Sequence, residues 1–174
     1  RAVDELPWMA PALVAGVCIF LFYLESHQYP AFGAGLYFRI AEEIAAHGYA
    51  LPARIPGYTA DGVPFAYPPL MFYALATLRD LTGLQAVTIA RFLPGIVSVV
   101  YLVPLYFFAR DLLGSRTQAT LAAFVVAVSP PVLQWHISAG GIVRAPAALF
   151  ALTGIYACLR LFRDGERRWL ALAT

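Results

Sequence analysis

Arg144 closes the segment 134–144, which reads QWHISAGGIVR, and apolar residues flank it on both sides. A guanidinium in such surroundings offers a planar fork of N–H donors that suits a phosphate, and His136 in the same segment can assist it. The alternative is that Arg144 snorkels to lipid phosphates, the commoner fate of a single arginine at a membrane boundary. Gly140-Gly141 lies between the two side chains and permits close backbone approach. The second group of candidates is carboxylates able to take a proton from an attacking hydroxyl. Asp61 stands three residues before Pro64, and Glu25 follows the first apolar run. We rank Asp61 first and Glu25 second as general bases, with an Asp61-Gly62 turn as the structural alternative. Glu42 and Glu43 read as a solvated helix face, and Asp80, beside Arg79, as an exposed flank.

The elements that must carry these residues are organised around 57–78, GYTADGVPFAYPPLMFYALATL. Prolines 64, 68 and 69 remove backbone donors and hold their predecessors extended, so no helix crosses this point. Pro69 is placed to open an apolar helix over 69–80. Its uncharged part, 70–78, rises only about 13 Å against a hydrocarbon core of about 30 Å, so it does not span alone. Before it, Leu36, Ile40 and Ile44 recur at intervals of four. They predict an amphipathic helix over 36–47, with Arg39 paired to Glu43 on the other face and Gly48 as its stop. Flanking aromatics suit it to an interfacial position.

Composition sets the class. The chain is 61% hydrophobic and 13% charged, and 6–24, 92–109, 117–143 and 145–159 carry no formal charge. Stretches of about 17–25 apolar residues are long enough to cross a bilayer. The expected architecture is an all-α polytopic membrane protein, a multi-span helical bundle. Its spans are 7–24, 92–109, 117–135 and 145–161, with a fifth starting at 169, and Ser129-Pro130-Pro131 breaks or kinks the third. No small-x-small cleavage site follows 7–24, so this run reads as a retained span. Arg110, Arg116, Arg160, Arg163, Arg167 and Arg168 all fall inside if 69–80 does not span and the N-terminus is inside. They would all fall outside if it did span, against the positive-inside rule. Loop 25–91 and link 134–144 then share the outer face. Cys18 and Cys158 lie in apolar runs and read as small core residues, not a disulfide or metal pair. A start at Arg1 and a stop within the apolar run 169–174 fit the N-terminal part of a longer protein.

This order of elements resembles the C-type polytopic membrane glycosyltransferases. A first span precedes a long loop whose helix ends in His47-Gly48. Then come G-x-P-F-x-Y-P-P-L at 62–70, LTG at 81–83, RFLPGI at 91–96 and SPPVLQWHISAGG at 129–141. The set is similar to protein O-mannosyltransferases, lipid A aminoarabinose transferases and oligosaccharyltransferase catalytic subunits, over 7–165. The resemblance implies transfer of a sugar from a polyprenyl-phosphate donor to a lipid, glycan or protein acceptor. The active face would be extracytoplasmic, in the plasma membrane of a bacterium or archaeon, with membrane lipid as the other partner and no nucleic acid. Tyr37 matches a tyrosine of the family's first loop. With Tyr67 of the Tyr-Pro-Pro-Leu motif, it joins Arg144 and His136 as a substrate-binding candidate.

The chain also departs from the family's pattern. Gly33 and Ala34 stand where relatives carry an aspartate, Val143 and Ala145 lie near where oligosaccharyltransferase acids follow Ala139-Gly140, and His136 replaces a usual arginine. No cofactor is therefore specified, and a divalent cation would need carboxylates the second loop does not supply. Two other functions fit the same scaffold: a non-catalytic lipid-binding or assembly protein, and a transporter. Against transport, the spans carry no acid and their breaks lie towards one face.

Overall fold

The structure, a computed structural model, describes residues 2–30, 34–138 and 141–173. Gly33, Ala139 and Gly140, invoked above, lie outside these ranges. Among the described residues the regular structure is helical except for one short antiparallel strand pair, which lies in the otherwise irregular stretch 47–69. A 3-10 turn over Ala2–Glu5 leads into α1 (Leu6–Ser26), followed by α2 (Gly35–Ala46), β1 (Arg54–Ile55) and β2 (Val63–Pro64). Then come α3 (Leu70–Thr82), α4 (Ala86–Leu113), α5 (Arg116–Val128), α6 (Pro130–Ile137), α7 (Gly141–Asp164) and α8 (Leu170–Ala173). The helices α1, α4 and α7 are each long and apolar enough to cross a membrane. Together α5 and α6 form a fourth candidate, bent by 59° at Ser129. Pro130 causes the break, because it cannot donate to the preceding turn and holds Ser129 extended at ψ 112°.

Two helices begin earlier than their charge-free stretches suggest. Helix α4 opens at Ala86 after an extended Gln85, so Arg91 lies inside it. There it donates to the Leu24 carbonyl in the last turns of α1, where carbonyls lack intrahelical partners. Helix α7 opens at Gly141, which places Arg144 in its first turn and not in a connection. His136 likewise stands on α6. Within segment 134–144, residues 134–137 thus belong to α6 and 141–144 to α7.

Contacts fix the direction of each helix. The start of α1 meets the far end of α4 through Glu5 and Tyr106, 2.7 Å apart. Its last turns meet the start of α4 through Arg91. Thr120 of α5 bonds to the Trp8 carbonyl, and Arg160 of α7 pairs with Asp111 of α4 at 3.0 Å. So α1 and α5 run one way, α4 and α7 the other, and 27–85 leaves and rejoins the bundle at the same end. Close packing relies on small residues: Ala12, Ala119 and Ala123, with Met9, pack around the buried Tyr106 and Ala109. At Gly95 a side chain would overlap the ring of Phe20.

The second core lies at the other end and supports the site. It joins Ile40, Ala41 and Ile44 of α2 to Phe72, Leu75 and Ala76 of α3, Ile89 and Ala90 of α4, and Ile142 of α7. The apolar stripe of α2 is therefore buried against protein, where the sequence suggested a lipid interface. Gly83, at φ 69°, takes the left-handed conformation that ends α3. Both cysteines are free, but Cys18 is exposed on the outside of α1 and is not a core residue.

Candidate functional site

The proline centre delivers its aromatics to one buried ring. Phe72, in the first turn of α3, is fully buried and is met by Tyr37 (5.7 Å, stacked), Tyr67 (6.0 Å) and Phe65 (6.3 Å). Helix α2 supplies Tyr37, and the rigid 64–69 stretch supplies the other two. Tyr37 and Tyr67 meet edge to face at 5.6 Å and share a hydroxyl hydrogen bond. Burial first, and then this hydrogen bond, raises the Tyr37 phenol above its ordinary value. It stays protonated, a donor and acceptor and not a base.

Arg144 stands in the first turn of α7. Its charge bears on Tyr37 and on His136, but none of His136, Tyr37 and Tyr67 lines the cleft that opens beside it. The place of Arg144 beside α6 depends on Gly141, since a Cβ there would collide with the His136 backbone carbonyl. Only glycine lets the end of α6 press against the start of α7. That approach puts the Arg144 guanidinium carbon 3.9 Å from the Trp135 ring centroid. His136 turns inward and meets Tyr101 of α4 at 5.5 Å. Beside Arg144 opens a cleft of about 450 Å³ lined by Pro131, Gln134, Trp135, Ser138 and Arg144, with no acid in its wall.

Other arginines at this end of the bundle engage oxygen. Arg39 pairs with Glu43 at 2.7 Å, Arg54 donates to the Asp61 and Gly62 carbonyls, Arg79 meets Asp80, and Arg91 bonds to Leu24. Among the described residues, Arg144 has an aromatic face and no oxygen partner. The first turn of α7 contains no acid either, so the positive end of the helix dipole adds to the arginine's charge.

The two proposed bases lie elsewhere. Asp61 is exposed in a turn where Gly62 adopts φ 74°, and it lines an open cleft with Glu43, His47 and Arg54. The turn alternative therefore describes its backbone. Glu25 is exposed in the last turn of α1 and shares another cleft with Gln28, Tyr29 and Arg91. Neither cleft shares a residue with that of Arg144. Glu43 departs from its expected solvated position: it is 9% exposed, held between Arg39 and His47 under the loop that follows α2. Among the described residues no three His, Cys, Asp or Glu side chains assemble to hold a metal ion.

Two residues that the sequence did not single out shape this site. Phe72 is hidden in an apolar run where every neighbour looks equivalent. Trp135 reads as an ordinary interfacial aromatic, although its spacing of nine from Arg144 across a double glycine was a usable signal.

A bundle of long apolar helices, with a polar and aromatic site built at one end, is an integral membrane protein of all-α class. The dolichyl-phosphate-mannose-protein mannosyltransferase family model matches residues 66–174, more than half of the chain, and the chain belongs to that family of membrane glycosyltransferases. The match opens at Ala66, within the proline centre, and leaves α1 and α2 ahead of it. No curated protein matches the chain, and no solved structure does.

Proposed function

We propose that this protein moves a sugar from a polyprenyl-phosphate donor to an acceptor at the extracytoplasmic face of the membrane. One observation carries the reading: the Arg144 guanidinium opens onto an acid-free cleft with no oxygen partner among the described residues. Arg144 binds the carrier phosphate, assisted by His136. The hydroxyls of Tyr37 and Tyr67 hydrogen-bond the substrate. In the transfer, an acceptor hydroxyl forms a bond to the anomeric carbon as the bond from that carbon to the phosphate oxygen breaks. The polyprenyl phosphate leaves as an anion, which Arg144 stabilises. The hydroxyl proton passes to a carboxylate, with Asp61 as first candidate and Glu25 as second. Either would have to come within hydrogen-bond reach, and catalytic contacts commonly tighten only on substrate binding.

The test is donor binding by Arg144→Gln in detergent-purified full-length protein. A loss of affinity of about tenfold or more is expected, since hydrogen bonds to charged groups contribute about 1.5–3 kcal/mol. Unchanged affinity in a folded variant returns Arg144 to a snorkelling role. The separation of Asp61 and Glu25 from Arg144 favours a second reading, a non-catalytic lipid-binding member of the same scaffold. Turnover by Asp61→Asn and Glu25→Gln separates the two. Near-normal rates in both remove these bases, and absent turnover in the unaltered protein supports the second reading.

A further inference from the structure

We infer that Trp135 is a positioning residue that holds the Arg144 guanidinium ready for a phosphate, an inference that rests on the reading of Arg144 given above. Arg144 sits 3.9 Å from the indole centroid, well within the roughly 6 Å over which a cation is attracted to an aromatic face. Such a contact engages the positive charge of the guanidinium without consuming its N–H donors. A carboxylate in the same place would occupy the fork and compete with any incoming anion. Arg39 and Arg79 show that outcome in their ion pairs with Glu43 and Asp80. Arg144 is therefore oriented and, among the described residues, still has its hydrogen bonds to give, as a planar fork must to grip a phosphate in two places.

The surroundings reinforce the pairing. Trp135 is 63% exposed, so its ring is not buried as a core residue would be. Trp135 and Arg144 line the same cleft, together with Gln134 and Ser138. Pro130 sets the direction of α6, and the absence of a side chain at Gly141 sets its distance from α7. These two constraints on separate helices converge on one ring-to-guanidinium contact. An interfacial tryptophan acting only as a membrane anchor would have no need of the arginine.

The ligand chemistry is a phosphate monoester or diester, from either a lipid or solution. The probes are a polyprenyl monophosphate and inorganic phosphate, titrated against full-length protein in detergent. The variants are Trp135→Ala, Trp135→Phe, Arg144→Gln and the double variant Trp135→Ala with Arg144→Gln. Trp135→Ala should weaken polyprenyl monophosphate binding about threefold, and Trp135→Phe should recover most of it, because an aromatic face remains. In the Arg144→Gln background Trp135→Ala should have no further effect, which a merely structural role would not produce. Inorganic phosphate showing the same ratios at weaker absolute affinity assigns the site to the phosphate itself; ratios seen with the lipid probe only assign it to a lipid headgroup. Equal losses from Trp135→Ala with and without Arg144 would overturn the inference and leave the role of Arg144 intact. No loss from Arg144→Gln would instead overturn the reading on which it rests. If Trp135→Ala does not yield monodisperse protein, Trp135→Phe and Trp135→Leu carry the comparison, with recovery in Phe but not Leu expected.

Discussion

At the scale of single residues, the site depends on a residue with no side chain. A methyl at Gly141 would collide with the His136 carbonyl, which belongs to backbone and cannot swing aside. Gly141→Ala should therefore destabilise the protein by about 1–3 kcal/mol, the usual cost of overpacking. It should also weaken polyprenyl monophosphate binding, because α6 and α7 must separate and carry Trp135 away from Arg144. Thermal unfolding in detergent and the binding titration check the two effects separately. A variant with native stability and native affinity would show that the close approach at Gly141 is dispensable. The double glycine was legible in the sequence as a place for close approach. Which backbone it approaches was not, because that partner is set by the direction α6 takes after Pro130.

At the scale of elements, the end of the bundle opposite the site is locked by one buried carboxylate. Glu5 is 2% exposed and accepts from Tyr106 at 2.7 Å and Arg116 at 2.8 Å, with Arg110 at 3.1 Å. The 3-10 turn, α4 and α5 meet there. Removing the carboxylate in Glu5→Ala leaves the buried Tyr106 hydroxyl without its acceptor, a loss of about 1–3 kcal/mol. The Tyr106 hydrogen bond first, and the two arginines with it, lower the Glu5 carboxyl below its ordinary value against the opposing effect of burial. Its folded-state pKa is depressed, so the stabilisation is complete above the ordinary glutamate value and fades as pH falls through the lower folded value. Unfolding temperatures of the unaltered protein and Glu5→Ala should differ at neutral pH and converge in acid. A difference independent of pH would mean that the carboxylate acts as a neutral acceptor only.

At the scale of the whole molecule, the arginines beside the short connections lie at the end opposite the site, while those at the site end lie on or next to the long segment 27–85 and at the start of α7. Arg110, Arg116 and Arg160 meet Glu5 and Asp111 at one end, while α2, α3 and Arg144 lie at the other. The extracytoplasmic site proposed above follows if the positive-inside rule places the end with Arg110, Arg116 and Arg160 in the cytoplasm. Single cysteines at Thr59 and Ser115, with Cys18 and Cys158 replaced by alanine, report the orientation through an impermeant maleimide applied to intact cells. Thr59→Cys should label and Ser115→Cys should not; the reverse pattern would invert the topology and place the site inside. A substrate site at the inner face would also remove the proposed extracytoplasmic transfer.

Class and element order were legible without coordinates, because they follow from local properties. Long uncharged stretches, prolines at 64, 68 and 69, and the four-residue spacing of Leu36, Ile40 and Ile44 each constrain their own neighbourhood. The same local signals do not mark where α4 and α7 begin, since charge marks where lipid ends and not where hydrogen bonding ends. Arg91 continues a helix because its charge finds the Leu24 carbonyl, a partner 67 positions away in the chain. Tertiary packing alone decided that the stripe of α2 is covered by α3, that Glu43 is buried, and that Arg144 rests on Trp135. It also decided that Asp61 and Glu25 stand in clefts apart from Arg144. Each of these depends on how helices cross, and crossings are set by pairs of surfaces distant in sequence, such as Gly95 against Phe20 and Gly141 against the end of α6.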